Sequence, residues 1–225
     1  MKLTASVYGG SAMNEKFFSL PEEKQQAIIN AGFRVFSQNT YKKSPVSEIA
    51  SEAGISKSLL FYYFRNKKEL YLFLWEKCAQ VTIEYMREYG CYDKKDLFEM
   101  MYSGMQVKIR IMKQYPDMGV FVIKAFYEKD PEVCGEIQKS YQKLKGLSAS
   151  ATLAGIDPGQ FAEGLDLRMM YREMYLASEG YVWEMVSSGK IDADKMEKDF
   201  TEIIEFWKSI FLRKGQVTGG TAKGE

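Results

Sequence analysis

Histidine is absent from this sequence of 225 residues. Its absence excludes Ser-His-Asp and Cys-His catalysis, HExxH zinc chemistry and every histidine-based metal site. The three cysteines, Cys78, Cys91 and Cys134, are too few for an all-thiolate zinc site, and their odd number and wide spacing do not predict a disulfide framework. We therefore expect a protein of a reducing compartment, the cytoplasm, that holds no metal and no cofactor.

Long apolar runs and phosphate-binding loops are absent as well. No stretch approaches the ~18–20 consecutive apolar residues needed to cross a bilayer, and the sequence does not start with an apolar signal-peptide segment. Neither GxGxxG nor GxxxxGK[ST], the glycine-rich loops that bind phosphates, is present. Apolar residues nevertheless make up 46% of the chain and aromatic residues 14%, which is enough for a packed core. The composition predicts a folded binding protein without a membrane partner, rather than an enzyme.

The formal net charge of +1 conceals an uneven distribution. Residues 1–70 hold 10 Lys and Arg against 6 Asp and Glu, whereas the remaining 155 residues hold 21 against 24. The first part therefore carries +4 and the second part −3. Most of the excess comes from Lys42, Lys43, Lys57, Arg65, Lys67 and Lys68. A local basic patch of this kind indicates nucleic-acid binding, although charge alone equally fits a solvated lysine-rich surface.

Apolar residues recur at helical spacing through most of the chain. Capping residues and first-turn prolines predict where the helices begin. Starts are predicted at Ser19, Ser44, Ser56, Asn66, Asp93, Pro116, Asp130, Asp157 and Asp192. Alternating strand patterns and hairpin turn dipeptides do not occur. The predicted fold class is all-α, with about nine helices.

Residues 44–67 contain two short helical patterns that are separated by Ala53-Gly54-Ile55. The tight turn of a helix-turn-helix needs a small residue followed by one that tolerates positive φ, which glycine does at little cost. The shared apolar core is predicted to comprise Val46, Ile49, Ala50, Ile55 and Leu60. The start of the second helix then points outward, as reading of the major groove requires. The alternative is an ordinary helical hairpin of a bundle, for which both helices are short.

At this motif the sequence resembles a known family. Residues 24–71, and especially VSEIASEAGISKSLLFYYFRNKKELY, are similar to the DNA-binding head of the tetracycline-repressor (TetR-like) family of bacterial regulators. The match runs through Ile49-Ala50, Ala53-Gly54-Ile55-Ser56, Leu60-Phe61-Tyr62-Tyr63-Phe64 and Lys67-Lys68-Glu69-Leu70. It covers the first third of the chain, and beyond it only the length and the number of helices agree. The resemblance implies an N-terminal three-helix helix-turn-helix head followed by a larger helical domain for ligand binding and dimerisation.

The resemblance also implies which residues of the head contact DNA. Ser44 matches a phosphate-binding hydroxyl, and Lys67 matches a lysine that anchors a phosphate beside a helix N-terminus. The full implied DNA-binding set is Ser44, Ser56, Lys57, Ser58, Leu59, Tyr62, Tyr63 and Lys67. Leu59 and Phe61 depart from the family's usual residues; Leu59 suits a thymine methyl group, and Phe61 suits the core. For Tyr62 and Tyr63 the alternative is packing against the first helix.

A ligand cavity and a dimer interface are implied for the second domain. Its stripes of Met, Tyr and Phe predict either an ordinary core or a pocket for a bulky, mostly apolar ligand. The candidate pocket residues are Met105, Ile109, Met112, Phe121, Phe126, Tyr141, Met170 and Tyr175. The last two long helices carry broad apolar faces and match the family's dimer-forming pair. The candidate interface residues are Phe161, Leu165, Met169, Leu176, Gly180, Trp183, Phe200, Ile203, Trp207 and Ile210.

Together these expectations describe a homodimeric, ligand-responsive bacterial transcription regulator. We expect a repressor that binds a palindromic operator through its helix-turn-helix and is released by a small, mostly hydrophobic ligand. The head is expected at 13–66 and the sensing and dimerisation domain at 67–213, with a tag or disordered leader at 1–12 and a flexible tail at 214–225. One alternative is a DNA-binding regulator without a small-molecule effector, constitutive or controlled by a protein partner. The other is an α-helical enzyme or carrier whose basic head is incidental.

Overall fold

The computed structural model of the protein describes residues 15–188 and 192–213. The expected leader at 1–12 and the expected tail at 214–225 lie outside the described residues. Ten α-helices account for most of the described chain. Apart from an isolated bridge between Phe161 and Leu212, no β-structure occurs in these ranges. The all-α prediction is confirmed, with one helix more than the nine or so expected.

The helices are numbered in chain order. They are α1 (Glu15–Phe18), α2 (Glu22–Gln38), α3 (Val46–Glu52), α4 (Lys57–Tyr63), α5 (Lys67–Glu88), α6 (Leu97–Gln114), α7 (Pro116–Phe126), α8 (Cys134–Ala154), α9 (Leu167–Ser187) and α10 (Ala193–Phe211). Single 3-10 turns at Cys91–Asp93 and Pro158–Gln160 precede α6 and α9. Among the residues described, no helix is both long and apolar enough to span a bilayer.

The chain divides into two compact units. The first runs to Cys78 and also includes Val120–Gln138, and the second combines Ala79–Gly119 with the chain from Lys139 onward. These units do not test the predicted domain boundary after residue 66, which stays a prediction. The first unit contains more than the predicted head, because parts of α5, α7 and α8 pack with it.

Helix α2 organises the first unit. Its buried face holds Phe36, whose ring meets that of Tyr71 edge-on at a centroid distance of 4.8 Å. Helix α2 also approaches α5 closely at Gly32, where a Cβ atom would lie 2.6 Å from Cδ1 of Leu74. A side chain at position 32 would therefore require the side chain of Leu74 to shift. Each large ring or leucine buried in this way contributes about 1.5–3 kcal/mol to folding.

In the second unit α6 packs against α10. Buried side chains of α6 recur at helical spacing in Met105, Ile109 and Met112. The facing stripe of α10 comprises Met196, Phe200, Ile204 and Trp207. Apolar side chains three or four residues apart line one face of a helix, so the two stripes form a continuous core.

Candidate nucleic-acid interface

The turn between α3 and α4 has the geometry that the sequence predicts. Gly54 adopts φ +68°, in the left-handed region that glycine tolerates. The N–H of Ala53 donates to the carbonyl of Ile49 at 3.0 Å, and that of Ile55 donates to the carbonyl of Ala50 at 2.9 Å. These bonds close the C-terminus of α3 and redirect the chain into α4.

A small apolar core fixes the orientation of α4. Ile49 and Ala50 of α3 and Leu60 of α4 are buried, as predicted. Val46 and Ile55 lie at the edge of this core, where both are more exposed than the three buried residues. Because Leu60 points inward, the residues around it on the first turn of α4 point toward solvent.

The first turn of α4 presents short polar groups and one cation. Ser56 is the N-cap, and its Oγ accepts the backbone N–H of Leu59 at 3.1 Å. Lys57, Ser58 and Leu59 are exposed. The predicted DNA-binding residues at 56–59 therefore share one accessible surface. A donor such as Lys57 and an apolar group such as Leu59 are the kinds of side chain that read base edges.

The aromatic residues of α4 divide between surface and core. Tyr62 is 52% exposed and Phe61 38%, whereas Tyr63 is 7% exposed. The suggestion that Phe61 belongs to the core is therefore wrong, and Tyr63 takes the inward position instead. The ammonium of Lys16 in α1 lies 3.9 Å from the ring centroid of Tyr62, a cation–π contact that orients this ring.

Two predicted phosphate-binding residues are engaged inside the protein. Ser44 is 2% exposed, and its hydroxyl donates to the carbonyl of Thr40 at 2.9 Å. The ammonium of Lys67 donates to the carbonyls of Tyr41 at 2.9 Å, Lys42 at 3.2 Å and Ser44 at 3.4 Å. The hydroxyl of Ser44 is therefore directed into the protein, whereas Lys67 is half-buried and bonded to the turn before α3.

The basic patch of the head is partly neutralised. Three cations of the first unit pair with carboxylates: Arg34 with Glu52, Arg65 with Glu69 and Lys68 with Glu136. Lys42, Lys43 and Lys57 are exposed, and no carboxylate of the described residues forms an ion pair with them. These three lysines carry positive charge that is accessible to a polyanion.

Known proteins share this architecture. A curated relative, the fatty acid metabolism regulator protein of Bacillus subtilis (strain 168), is 24% identical over 152 residues, which cover 65% of this chain and 75% of that protein. A TetR family regulator from Chloroflexus aurantiacus J-10-FL has a TM-score of 0.64 at 22% identity, covering 89% of this chain and 98% of that one. SmeT, the repressor of the Stenotrophomonas maltophilia multidrug efflux pump SmeDEF, has a TM-score of 0.64 at 16% identity, covering 89% and 97%. At these identities the two structures establish the shared fold.

One family profile matches the head of this chain. Residues 28–73, which include all of α3 and α4, match the profile described as bacterial regulatory proteins, tetR family. The resemblance of this head to the tetR family, predicted from the sequence, is confirmed. The chain is a DNA-binding transcriptional regulator and not an enzyme, as the sequence predicts.

The predicted pocket residues are divided between the two compact units. The second unit contains Met105, Ile109, Met112, Tyr141, Met170 and Tyr175. Phe121 and Phe126 belong to the first unit. The ring of Phe121 is buried against Phe33 at a centroid distance of 5.3 Å and against Tyr71 at 5.0 Å. Phe121 is thus a core residue of the first unit, and its place in a pocket lining stays a prediction.

Two of the predicted pocket residues form a polar contact in the second unit. The hydroxyls of Tyr141 and Tyr175 lie 2.7 Å apart, and both residues are half-buried. Glu179, one helical turn beyond Tyr175, forms an ion pair with Lys108. Burial, with the negative charge of Glu179, raises the pKa of Tyr175, so its hydroxyl keeps its proton at neutral pH. In the described part of the chain, no group of three or more acidic or cysteine side chains is arranged to hold a metal ion.

The exposed face of α9 carries several of the predicted interface residues. Met169, Leu176 and Trp183 are exposed apolar residues. Gly180 lies between them on the same face, and a Cβ atom at this position would meet no other described atom within 4 Å. Leu165, just before the helix, is half-buried. The buried residues of α9 lie on its opposite side, so the exposed stripe has the position that the predicted interface requires.

Helix α10 divides the remaining interface candidates between core and surface. Phe200 and Trp207 are buried against each other at a centroid distance of 6.0 Å, and Phe161 is buried against Phe98 at 6.1 Å. These three therefore stabilise the chain from inside rather than facing a partner. Ile210 is exposed and Ile203 is half-buried.

Sequence reasoning missed Phe206. It lies on α10 between the surface candidates Ile203 and Ile210 and is 61% exposed, more than any other large apolar side chain among the described residues. Its position one helical turn before Ile210 is the signal that identifies it. The apolar face of α10 available to a partner is therefore Ile203, Phe206 and Ile210.

Proposed function

We propose that this regulator is a homodimeric repressor that binds a palindromic operator and leaves it when a small, mostly hydrophobic ligand binds. It acts in the cytoplasm, where bacterial DNA is accessible. The observation that carries the proposal is the exposed first turn of α4, which combines the N-cap Ser56, the cation Lys57 and the apolar Leu59 on one surface.

Operator recognition is assigned to α4 as the helix that enters the major groove. Lys57 is suited to the O6 and N7 acceptors of guanine, and Leu59 to a thymine methyl group. Ser58 and Tyr62 are exposed beside them and supply hydroxyls for phosphate or base contacts. The buried positions of Ser44 and Tyr63 favour structural roles for these two residues, so the proposed contact set omits them.

Dimerisation is assigned to the exposed apolar faces of α9 and α10. The faces comprise Met169, Leu176, Gly180 and Trp183 on α9 and Ile203, Phe206 and Ile210 on α10. A two-fold axis through this surface would join two heads to two half-sites of an inverted repeat. One small head buries only about 600–1,000 Å² on DNA, so the second half-site supplies needed affinity.

The effector is assigned to the second unit. Its interior is rich in flexible methionine, including Met105, Met112 and Met170, and methionine adapts to bulky apolar ligands. The hydroxyl groups of Tyr141 and Tyr175 could form hydrogen bonds that orient such a ligand in an otherwise apolar pocket. The relative from B. subtilis is named for fatty acid metabolism, and SmeT for a multidrug efflux pump, which favours acyl compounds and amphipathic drugs as first candidates.

Release from DNA requires that the effector binds two states of the dimer unequally. If the ligand binds the DNA-bound form more weakly than the free form, thermodynamic linkage makes DNA lower the ligand's affinity by the same factor. A repressor of this kind therefore shows weaker ligand binding in the presence of its operator. A regulator without a small-molecule effector shows no ligand binding in either condition.

Operator binding and its release by a ligand can both be tested with the purified protein. Purified protein is mixed with fragmented genomic DNA, and the bound fragments are sequenced and footprinted; we expect inverted repeats near promoters. Thermal shift with long-chain acyl compounds and amphipathic drugs is then measured with and without a duplex of the recovered repeat. A ligand-induced rise in Tm that shrinks when the duplex is added supports a ligand-released repressor. Sequence-selective DNA binding with no shift for any compound would instead favour a regulator controlled by a protein partner.

A further inference from the structure

Lys67 is bound to the turn that joins α2 to α3. Its ammonium donates to the carbonyls of Tyr41, Lys42 and Ser44, at 2.9, 3.2 and 3.4 Å. The same ammonium lies 4.6 Å from the ring centroid of Tyr41. An ammonium has three N–H donors, and here all three face carbonyl oxygens. A phosphate could be bound by Lys67 only if one of these bonds were given up.

The rest of the turn is closed by its own hydrogen bonds. The carbonyl of Thr40 accepts the N–H of Lys43 and the N–H of Ser44, both at 3.1 Å. The same carbonyl accepts the hydroxyl of Ser44 at 2.9 Å. The turn carbonyls are thus directed to internal donors, which leaves the side chains of Lys42 and Lys43 on the outside.

The position of the turn favours contact with DNA. It leads directly into α3, the first helix of the helix-turn-helix, which crosses the DNA backbone when the second helix lies in the major groove. Carbonyl oxygens turned toward a phosphate would repel it, and the ammonium of Lys67 offsets their negative partial charge by donating to them. Lys42 and Lys43 form no ion pair with a carboxylate among the described residues, so their charges are available to phosphates.

We propose that Lys67 is a positioning residue, which holds the turn at Thr40–Ser44 so that Lys42 and Lys43 bind DNA phosphates. This differs from direct phosphate anchoring by Lys67, which the family resemblance implied. The inference rests on the proposed DNA binding, but its first half concerns the free protein and is tested without DNA.

The main test measures the salt dependence of binding to a mixed-sequence duplex of about 30 base pairs, because each phosphate contact contributes about 0.9 to the slope of log K against log salt. The variants are K67M, K42Q/K43Q and the triple variant, with K24Q as the matched control for loss of one exposed lysine. We expect K42Q/K43Q to make the slope shallower by about two units. K67M should also make it shallower in the native background, but should change nothing further in the K42Q/K43Q background.

Three results would overturn the proposal. A loss of about one unit from K67M in both backgrounds would make Lys67 itself the phosphate contact. If K67M left the slope unchanged in the native background, Lys67 would not be needed to hold the turn in its DNA-binding position. An unchanged slope for K42Q/K43Q would remove these lysines from the interface.

A second variant covers the case in which K67M does not fold. Lys67→Gln loses the charge but keeps two N–H donors on a side chain one bond shorter, so a positioning role predicts a slope close to that of the native protein. A loss of about one unit in K67Q would instead indicate a direct charge contact. Without DNA, amide hydrogen exchange at Lys43 and Ser44 should be faster in K67M than in K24Q, with K67Q close to K24Q. Equal exchange in K67M and K24Q would contradict the first half of the proposal. If the native protein does not bind the duplex at all, the proposed function fails while the exchange result still decides the role of Lys67.

Discussion

The carboxylate of Glu128 accepts the backbone N–H of Tyr41 at 2.8 Å, across 87 residues of sequence. Its other oxygen accepts the N–H groups of Lys129 at 2.8 Å and Asp130 at 3.0 Å. One side chain thus fixes both the loop after α7 and the turn after α2, within the first compact unit. Close by in sequence, Lys124 donates to the carbonyl of Ser37 at 2.6 Å, a second polar link between the same segments.

Replacement of Glu128 by alanine should lower the stability of the first unit. The substitution leaves the N–H of Tyr41 without its acceptor in a partly buried position, which costs about 1–3 kcal/mol. Urea unfolding followed by circular dichroism measures the loss. Glu84→Ala, at an exposed position of α5, is the control and should stay within about 0.5 kcal/mol of the native protein. Equal midpoints for the two variants would show that the carboxylate of Glu128 is not needed.

The cap of α4 can be separated from its contact with DNA. Ser56→Ala should destabilise the protein by about 0.5–2 kcal/mol because the N–H of Leu59 loses its acceptor. Ser56→Asp restores a good cap but adds a negative charge facing the phosphates, so it should fold normally and bind DNA more weakly. Ser58→Ala, inside the first turn and without a cap role, is the stability control. If Ser56→Asp bound DNA as tightly as the native protein, position 56 would lie away from the phosphates.

The three cysteines should differ in reactivity. Cys78 and Cys91 are buried, and burial raises the pKa of both thiols, so little thiolate forms at them near neutral pH. Cys134 is half-buried at the first position of α8. We expect a thiol reagent at mildly alkaline pH to label Cys134 alone in the native chain and all three cysteines in urea. Cys134→Ser should abolish the rapid labelling of the native chain. Rapid labelling that persists in this variant would place Cys78 or Cys91 within reach of solvent.

Local signals in the sequence predict α4 and the turn before it well. The predicted caps Ser19 and Ser44 are wrong, because α2 and α3 begin after Pro21 and Pro45 without a side-chain cap. Ser56 caps α4 and Asn66 accepts the N–H of Glu69 at 2.8 Å, both as expected from the capping rule. The predicted turn at Gly54 and the buried Leu60 also agree with the structure. These features depend on neighbours within four residues, so their chemistry is visible in a short window of sequence.

Helix starts are mistaken where two capping signals compete. The sequence predicts a start at Asp93, but α6 begins at Leu97 and its cap is Asp96, which accepts the N–H of Glu99 at 2.8 Å. The capping box of Asp96 and Glu99 favours this later start. Gly90, at φ +61°, instead directs Asp93 into a 3-10 turn.

Long-range contacts do not follow from periodicity. The stripe that contains Phe121 shows that one side of α7 is apolar, but not that its ring packs on Phe33 and Tyr71. The broad apolar face of α10 likewise leaves open which part packs on α6. The structure assigns Phe200 to that core and leaves Phe206 outside, because a face wider than one neighbouring helix cannot be buried by it completely.

The exposed face of α9 predicts a substitution that would disrupt the proposed dimer. Leu176→Glu places a charge in the centre of the proposed interface, where it would be buried without a partner, and should yield a monomer. Gln26→Glu, which adds the same charge at an exposed position of α2, should leave the oligomeric state unchanged. Light scattering after size exclusion gives both masses. If Leu176→Glu kept the mass of the native protein, the interface would have to lie elsewhere.

Removal of the Lys57 ammonium should reduce the selectivity of the protein for its operator sequence, and not only its general affinity for DNA. Lys57 is the only Lys or Arg of α4, and its ammonium lies 5.8 Å from the ring centroid of Phe61, on the exposed side of the helix. Lys57→Ala should lower operator affinity by about 1–3 kcal/mol and relax the preference at one base position in each half-site. Mobility-shift assays with single-base operator variants measure both effects, with Lys24→Ala as the control. A uniform loss across all operator variants would reduce Lys57 to a phosphate contact, since only a residue at the base edge discriminates between bases.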